Sequence, residues 1–252
     1  MTKLSVVIIT LNEEKNLKRC FDSVSSIADE IIVLDSFSTD KTKQICQDYN
    51  VNFFEQKFEG FIKQKNLAIE KANNDFILSL DADECLSEEL IESIKHIKKN
   101  FEYNAYSFNR LTFHSGAWIR NCGWYPDKKI RLINKHKARW IGDQIHEVMD
   151  VDKDQNVFHL HGDLLHYSYP TIADHINQTN KFTTIAAKQF YDQGVRSSWT
   201  KIIFSTLFKF FKDYFLRRGF MDGFHGLVVC TINALSNFLK YSKILELQKN
   251  SK

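Results

Sequence analysis

The chain has 252 residues, of which 43% are hydrophobic and 26% are charged. Such a composition is globular, and the length suffices for one large domain or for one domain with an appendage. The formal net charge of +3 is too small for the concentrated basic face of a nucleic-acid-binding protein. We therefore expect no nucleic-acid partner.

The cysteines and the first residues of the chain indicate a cytoplasmic protein. Five cysteines are scattered without a Cys-x-x-Cys pair, so we expect neither a zinc site nor a redox motif and interpret them as reduced thiols. The first residues run straight into a strand pattern, with no signal-peptide pattern before it. No uninterrupted apolar stretch reaches the roughly 18 residues that a transmembrane helix needs.

Strand and helix patterns alternate over roughly the first hundred residues. Apolar runs at 4–9, 31–34, 51–54 and 76–80 are typical of buried strands, and a helix pattern follows each of them. Asn12 is interpreted as the cap of the first helix and Ser87 as the cap of the fourth. Repeated strand–helix units predict an α/β fold with a mainly parallel, right-handed wound sheet.

The pattern changes from about residue 103. Shorter, aromatic-rich segments follow, which are typical of antiparallel hairpins at a sheet edge. A helical pattern returns between Thr171 and Tyr191, and two further helices are predicted at about 198–217 and 222–245.

Polar side chains follow three of the predicted strands. They are Thr10, Asn12 and Glu14 after the first strand, a series from Asp35 to Asp40 after the second, and Asp81 and Asp83 after the fourth. Open α/β sheets bind ligands at these strand ends. Two aspartates one residue apart can share a hard divalent cation, and such a cation can hold a diphosphate. The glycine-rich motifs of dinucleotide-binding and P-loop proteins are absent from the sequence.

Four motifs in order resemble the family 2 inverting glycosyltransferases of GT-A fold. They are LSVVIITLNEE at 4–14, VLDSFSTDKT at 33–42, QKNLA at 64–68 and LDADE at 80–84. Later segments, among them 121–127, 130–132, 145–147 and 165–169, resemble the bacterial lipopolysaccharide-core subgroup, which includes β-1,4-glucosyltransferases. The resemblance covers nearly the whole chain and implies a GT-A fold, which is Rossmann-like, with a C-terminal amphipathic helical extension.

The resemblance implies a site for a UDP-sugar donor. Thr10, Asn12 and Glu14 would line the nucleotide pocket, and Asp35 would contact the uracil or the ribose. Lys65 would reach the diphosphate, although a lysine on a helix is often only part of a solvated face. Asp40 would shape the second loop.

The resemblance also implies a divalent cation, either Mg²⁺ or Mn²⁺. Asp81 and Asp83 would bind this cation and the sugar nucleotide, and His166 would complete the shell of the cation. Arg131 would lie near the diphosphate or an acceptor phosphate, with an ordinary ion pair as the alternative. We interpret Glu84 as a residue that stabilises the following helix through its dipole.

Sugar transfer needs a base, because a hydroxyl is a poor nucleophile until its proton is removed. In the family that the sequence resembles, this base is a carboxylate on a loop well after the Asp-x-Asp motif. Glu147 matches that position. Asp143 and Asp127 are the competing candidates. This sequence has His146-Glu147 where much of the family has Glu-Asp, and His146 would either orient Glu147 or bond to backbone.

The predicted helix at about 198–217 is unusually aromatic. One predicted face carries Trp199, Ile203, Phe210, Phe211 and Tyr214. The opposite stripe consists of Lys201, Ser205, Lys209 and Lys212. Such a helix fits an anionic membrane surface, whereas packing on the rest of the protein or on a second subunit is the alternative. We place a catalytic GT-A domain at 1–195 and a helical extension at 196–252.

The sequence thus predicts a metal-dependent inverting glycosyltransferase. It would transfer a hexose to a lipopolysaccharide core or a related lipid-linked saccharide. The leading candidate for the hexose is glucose, with UDP-glucose as the donor. The alternatives are a polyprenyl phosphate or a capsule or exopolysaccharide intermediate as acceptor, and a non-catalytic nucleotide-sugar-binding protein. We expect the protein to lie peripherally on the inner face of the cell membrane, and a homo-oligomer is left open.

Overall fold

The computed structural model of the chain describes residues 2–142, 147–152 and 156–250. The chain divides into two compact units. The first comprises Met1–Arg110 and Asp127–Tyr167, and the second comprises Leu111–Pro126 and Ser168–Lys252. The predicted boundary after residue 195 therefore falls inside the second unit.

The first unit is built on a mixed sheet. The strands of this sheet are β1 (Leu4–Thr10), β2 (Glu30–Asp35), β3 (Asn52–Glu55), β4 (Phe76–Asp81), β5 (Glu84–Leu86), β6 (Ala105–His114), β8 (Asp127–Asn134) and β11 (Val157–Tyr169), and the last residues of β6 and β11 belong to the second unit. They lie in the order β3-β2-β1-β4-β8-β6-β11-β5. The ranges of β7, β9 and β10 follow below. The strands β3, β2, β1 and β4 pair in parallel with one another in this order, whereas β8 pairs antiparallel with β4 and with β6. The predicted parallel wound sheet with antiparallel edge strands is confirmed.

Four helices connect these strands. They are α1 (Leu17–Val24), α2 (Thr42–Asp48), α3 (Phe61–Glu70) and α4 (Glu88–Ile97). The prediction of Ser87 as a cap is confirmed, since its side chain accepts a hydrogen bond from the Leu90 backbone N–H at 3.3 Å. The prediction of Asn12 as a cap is wrong. Asn12 has a left-handed backbone with φ of 57°, and α1 begins only after Asn16.

The core of the first unit lies on both faces of the sheet. Leu4, Val6 and Ile8 of β1 pack into one apolar cluster with α1, whereas Val7 packs into a second cluster with α3. A strand that is covered on both faces needs a continuous apolar run, because successive side chains point to opposite faces. The polar positions that remain are concentrated where the strands end.

A hairpin formed by β9 (Ala138–Gly142) and β10 (Glu147–Val151) completes the first unit. Trp140 of β9 and Met149 of β10 are buried in the same cluster as Val7. Because β10 pairs with β9 in antiparallel register, Glu147 is held opposite Gly142.

The second unit is mainly helical. It contains β7 (Ala117–Ile119), paired with the end of β6, and the helices α5 (Ile172–Asp192), α6 (Trp199–Phe211) and α7 (Gly223–Asn250). A π-helical turn at Lys212–Leu216 and a 3₁₀ turn at Gly219–Asp222 link α6 to α7. α5 packs along α7, where Lys243 Nζ donates a hydrogen bond to Asn180 Oδ1 at 2.8 Å. None of the helices in the described residues is long and apolar enough to cross a membrane.

The predicted apolar face of α6 is wrong in part. Phe210 and Tyr214 pack inward against the cluster of Ile119, Val229 and Cys230. The exposed stripe instead contains Trp199, Ile203, Phe204, Leu207, Phe208 and Phe211. The sequence could not distinguish the two faces, because apolar residues occur all around this helix and periodicity then selects neither side.

Candidate active site

The loops that follow β1 and β2 are joined by a buried hydrogen bond. Thr10 Oγ1 donates to Asp35 Oδ1 at 2.7 Å, and both side chains are buried. The other oxygen of Asp35 accepts the Ser38 backbone N–H at 2.7 Å. Asp35 thus fixes the shape of its own loop, and its predicted contact with a nucleotide stays a prediction.

Asn12 and Glu14 extend this connection toward the second loop. Asn12 Oδ1 accepts the backbone N–H of Thr39 at 2.8 Å. Glu14 Oε2 accepts the backbone N–H of Lys41 at 3.1 Å, and its own N–H donates to Asp40 Oδ2 at 3.0 Å. Because each loop donates hydrogen bonds to the other, the two loops form one cross-linked rim at the carboxyl ends of β1 and β2.

The motif Gln64-Lys65-Asn66 lies on α3 and connects three parts of the site. Gln64 Nε2 donates to Ser36 Oγ at 3.2 Å in the loop after β2. Asn66 exchanges hydrogen bonds with the backbone N–H and C=O of Trp140, each 3.0 Å long. Between them, Lys65 is directed to β4 and β10. Three consecutive polar residues therefore tie α3 to the rim, to β9 and to the centre of the site.

Lys65 links the Asp-x-Asp motif to the candidate base. Its ammonium group lies 3.0 Å from Asp81 Oδ1 and 2.7 Å from Glu147 Oε1, and the side chain is only 1% exposed. The ammonium also lies 4.5 Å from the centre of the Trp140 ring, a favourable cation–π distance. Lys65 is therefore not part of a solvated helix face, and its predicted contact with a diphosphate stays a prediction.

Arg131 is the second cation of this cluster. Its guanidinium lies 3.2 Å from Asp81 Oδ2 and 2.9 Å from the fully buried Glu84. Burial raises the pKa of Asp81, but the charges of Lys65 and Arg131 outweigh it and hold this pKa well below its usual range. Burial likewise opposes the charge of Arg131, yet Glu84 and Asp81 raise its pKa. Asp81 is thus ionised at neutral pH.

Glu84 has a different role from the predicted one. It does not act on the dipole of α4, because its carboxylate binds Arg131 and accepts the backbone N–H of Asp81 at 3.0 Å. Sequence reasoning also missed Trp140, whose buried ring lies beside both cations. For Glu84, a carboxylate at the start of the apolar segment Glu84–Leu86, directly after the Asp-x-Asp motif, was the signal that could have identified its role in the site.

Asp83 and His166 form a separate pair. His166 Nε2 lies 3.2 Å from Asp83 Oδ2, and the antiparallel pairing of β11 with β5 brings His166 opposite Glu84. Among the residues that the structure describes, no group of three or more His, Cys, Asp or Glu side chains is arranged to hold a metal ion. The structure thus does not gather Asp81, Asp83 and His166 around one point.

The donor atoms nevertheless fit a cation that a substrate helps to bind. Mg²⁺ and similar cations are often held by one or two carboxylates together with substrate phosphates. Burial, and then the carboxylates of Asp83, Asp40 and Asp81, raise the pKa of Glu13 against the effect of its bond to Asn16, which indicates negative potential at this edge of the sheet. Asp83 and His166 would hold such a cation, while Asp81 already has counter-ions.

A cavity of about 440 Å³ opens beside Glu147 in the first unit. Its lining includes Asp81, Arg131, Trp140 and Glu147. Glu147 Oε2 is buried and has no hydrogen-bond partner among the described residues. A carboxylate oxygen that is desolvated and unpaired is a strong acceptor for an incoming hydroxyl.

The other candidate bases are placed less favourably or are not described. Asp127 is engaged by Arg110 at 2.8 Å and by Lys129 at 3.0 Å. The predictions for Asp143 and His146 lie outside the described residues. Among the described residues, the lining of the cavity thus includes one predicted base, Glu147, next to the Asp-x-Asp motif.

The sequence of the chain is similar to those of known proteins. The model of the family described as Glycosyl transferase family 2 matches residues 5–147. An uncharacterised glycosyltransferase of Rickettsia typhi is 34% identical over 100% of this chain and 90% of its own length. The lipopolysaccharide core biosynthesis glycosyltransferase LpsC of Rhizobium meliloti is 29% identical over 96% of this chain and 92% of its own.

Among solved structures, the chain is similar to residues 1–349 of Staphylococcus aureus TarS. The identity is 13% and the TM-score 0.47, over 100% of this chain and 92% of that one. At these values the similarity carries no argument about the site.

Proposed function

The chain belongs to glycosyl transferase family 2, and on that premise we propose that it transfers a hexose from a UDP-sugar to a lipid-linked saccharide with inversion at the anomeric carbon. UDP-glucose is the first donor to test. The cross-linked rim formed by Thr10, Asn12, Glu14 and Asp35 would receive the nucleotide, because ligands of open α/β sheets bind at the carboxyl ends of the strands.

One observation carries the proposal. Lys65 bridges Asp81 of the Asp-x-Asp motif and Glu147, so that the motif and the candidate base line one cavity. Base and leaving-group site must belong to one cavity, on opposite sides of the reacting carbon, for a displacement with inversion. Lys65 and Glu147, which form one half of this bridge, are 82 positions apart in the sequence.

The proposed reaction is a single displacement. The acceptor hydroxyl oxygen forms a bond to the anomeric carbon as the bond from that carbon to the diphosphate breaks, and the hydroxyl proton passes to Glu147 Oε2. A divalent cation held by Asp83 and His166 would neutralise the charge of the departing diphosphate. Lys65 holds Glu147 through the other oxygen, Oε1, so that Oε2 would be the oxygen that accepts the proton. Attack opposite the leaving group gives a β-linked product from an α-linked donor.

The similarity to LpsC supports an acceptor of the lipopolysaccharide-core type. Such an acceptor is anchored in lipid, so the enzyme would act at the inner face of the cell membrane. A polyprenyl phosphate or a capsule intermediate would present the same geometry to Glu147. Defined acceptors of these three kinds would identify the true one.

The experiment is a scan of UDP- and GDP-sugars for cation-dependent release of nucleoside diphosphate by the whole protein. We expect release from a UDP-hexose with Mg²⁺ or Mn²⁺ and its loss with a chelator. The Asp83→Ala variant should lose this activity and keep its circular dichroism spectrum. UDP binding without turnover for any donor or acceptor would instead indicate a non-catalytic nucleotide-sugar-binding protein.

A further inference from the structure

The second unit exposes an unusual amount of apolar surface. On α6, the exposed residues Trp199, Ile203, Leu207 and Phe211 follow one another at intervals of four, and Phe204 and Phe208 lie beside them. Residues three and four apart share one side of a helix. Phe204 is 71% exposed and Trp199 is 69% exposed. These side chains therefore form a continuous stripe that faces away from the core of the unit.

The apolar stripe continues beyond the end of α6. Phe215, Leu216, Phe220 and Met221 lie in the turns that lead into α7, and Phe224 lies at the start of α7; all five are at least half exposed. We call the exposed apolar side chains from Trp199 to Phe224 the aromatic face. Soluble monomers rarely expose a contiguous patch of this kind without a partner.

The charges around the aromatic face are predominantly positive. Residues 196–222 contain six Lys or Arg and two Asp residues. Asp213 is buried and pairs with Lys209 and Arg217, and Asp222 accepts hydrogen bonds from Asn121. With all of these charges counted, the cations of the segment still outnumber its aspartates. The exposed Arg217 and Arg218 thus interrupt the apolar turns between Leu216 and Phe220.

We propose that the aromatic face is a peripheral docking surface for a bilayer with anionic headgroups. Its apolar side chains would enter the boundary between headgroups and acyl chains, and its cations would lie at the level of the headgroup charges. Aromatic and basic residues together are characteristic of this boundary. The proposal concerns α6 and the turns after it, and it does not depend on the reaction proposed above.

A second copy of the chain fits the face less well. In a two-fold dimer each residue of the face meets the corresponding patch of its partner. Arg217, Arg218 and Lys212 would then approach their own counterparts, and like charges at an interface oppose association. An anionic lipid surface complements both the apolar and the basic groups.

The primary test is co-sedimentation of the whole protein with vesicles, in the absence of any substrate. We expect binding to vesicles of phosphatidylcholine and phosphatidylglycerol, and weaker binding to phosphatidylcholine alone. Raising the salt concentration should reduce the binding to anionic vesicles, because salt screens the headgroup attraction. Absence of binding to either vesicle type would overturn the proposal.

Matched variants locate the contact. Phe204→Gln with Phe208→Gln should lower vesicle partitioning about tenfold or more, because two large apolar groups leave the bilayer boundary. Phe58→Gln with Phe158→Gln removes two exposed phenylalanines from the first unit and should leave partitioning unchanged. Equal partitioning of the wild type and the α6 variant would contradict the assignment.

The fluorescence of Trp199 provides a second measurement of the contact, and its result does not depend on a change in folding stability. Brominated lipids should quench tryptophan fluorescence of the wild type, and the Trp199→Phe variant should lose most of this quenching while still binding. The mass of the protein in solution completes the test. A dimer that the α6 variant dissociates, together with no vesicle binding, would identify a second copy as the true partner.

Discussion

At the scale of single residues, the buried carboxylates of the site are stabilised by neighbouring cations. Lys65 and Arg131 together neutralise Asp81, and Arg131 also satisfies the buried Glu84. One oxygen of Glu147 pairs with Lys65, and the other has no hydrogen-bond partner among the residues that the structure describes. An ionised group in such a place is maintained by its neighbours, because burial alone would favour its neutral form.

Replacing Lys65 should test this arrangement directly. In Lys65→Met the carboxylates of Asp81 and Glu147 lose their shared counter-ion, and breaking a buried pair costs about 3 kcal/mol. Lys63→Met is the matched control, since Lys63 lies on the same helix but is exposed. It should change the free energy of unfolding by less than about 0.5 kcal/mol. Urea denaturation measures both variants, and equal effects would contradict a buried bridge at Lys65.

Strand ends and the resemblance to a family indicate Asp81 and Glu147 as site residues. The structure brings both to one cavity, whereas their roles in catalysis stay predictions. The bridge through Lys65 could not be read from the sequence, because it joins three segments whose proximity depends on the whole sheet. Asn12 was assigned to a helix cap because asparagine suits that position, but its side chain serves the neighbouring loop instead.

At the scale of elements, close approach of backbones explains one glycine of the first unit. Gly162 on β11 has φ of 102°, and a side chain there would meet the Leu90 backbone nitrogen at 2.3 Å. The start of α4 can therefore pack against β11 only where a side chain is missing. Strand register and helix position are fixed together at this point.

Gly162→Ala should destabilise the protein by clearly more than about 1 kcal/mol, because it combines an unfavourable φ with a backbone clash. Gly60→Ala is the control, since Gly60 also has a positive φ but open space around it. The difference between the two midpoints in urea isolates the clash. Equal midpoints would show that β11 and α4 do not approach each other so closely.

The second unit contains a buried histidine pair. His114 Nε2 lies 3.1 Å from His175 Nδ1 beside the rings of Trp124 and Tyr169. Burial, and then the charge of His114, lowers the pKa of His175 from 6.5 to about 4. Between these values the unfolded chain binds a proton that the folded chain excludes.

The stability of the protein should therefore fall as the pH is lowered from about 6.5 to about 4, with a contribution from His175 of about 3 kcal/mol. Above pH 6.5 this contribution is fully present. Unfolding in urea at a series of pH values measures it. His175→Gln, which keeps a hydrogen-bonding group, should show a shallower loss, and an unchanged slope would contradict the assignment to His175.

At the scale of the whole molecule, the sheet was the most predictable feature. Continuous apolar runs in β1, β2 and β4 require cover on both faces, and this requirement leads directly to helices on both sides. The grouping of α5 with α6 and α7 was not predictable, because it depends on contacts such as that of Lys243 with Asn180. The exposed face of α6 was predicted only in part for a related reason, since packing alone decides that Phe210 and Tyr214 are covered while Trp199, Ile203 and Phe211 are exposed.

The five cysteines offer a test of the packing of the whole chain. All are free and buried, and burial raises the pKa of Cys46 to about 12 and of Cys85 to about 11. Thiolates are the reactive form, so the folded protein should react slowly with a thiol reagent. Five equivalents should react at once in denaturant. Rapid reaction of several thiols in the folded protein would contradict this packing.

The central claim is that Glu147 removes the acceptor proton while Lys65 holds it beside the Asp-x-Asp motif. The most direct measurement compares transfer and donor binding in Glu147→Gln, which retains an oxygen for Lys65. Transfer from the UDP-sugar identified in the scan should fall by about a hundredfold or more, and UDP-sugar affinity should stay within about twofold. Transfer at the wild-type rate by this variant would contradict the account.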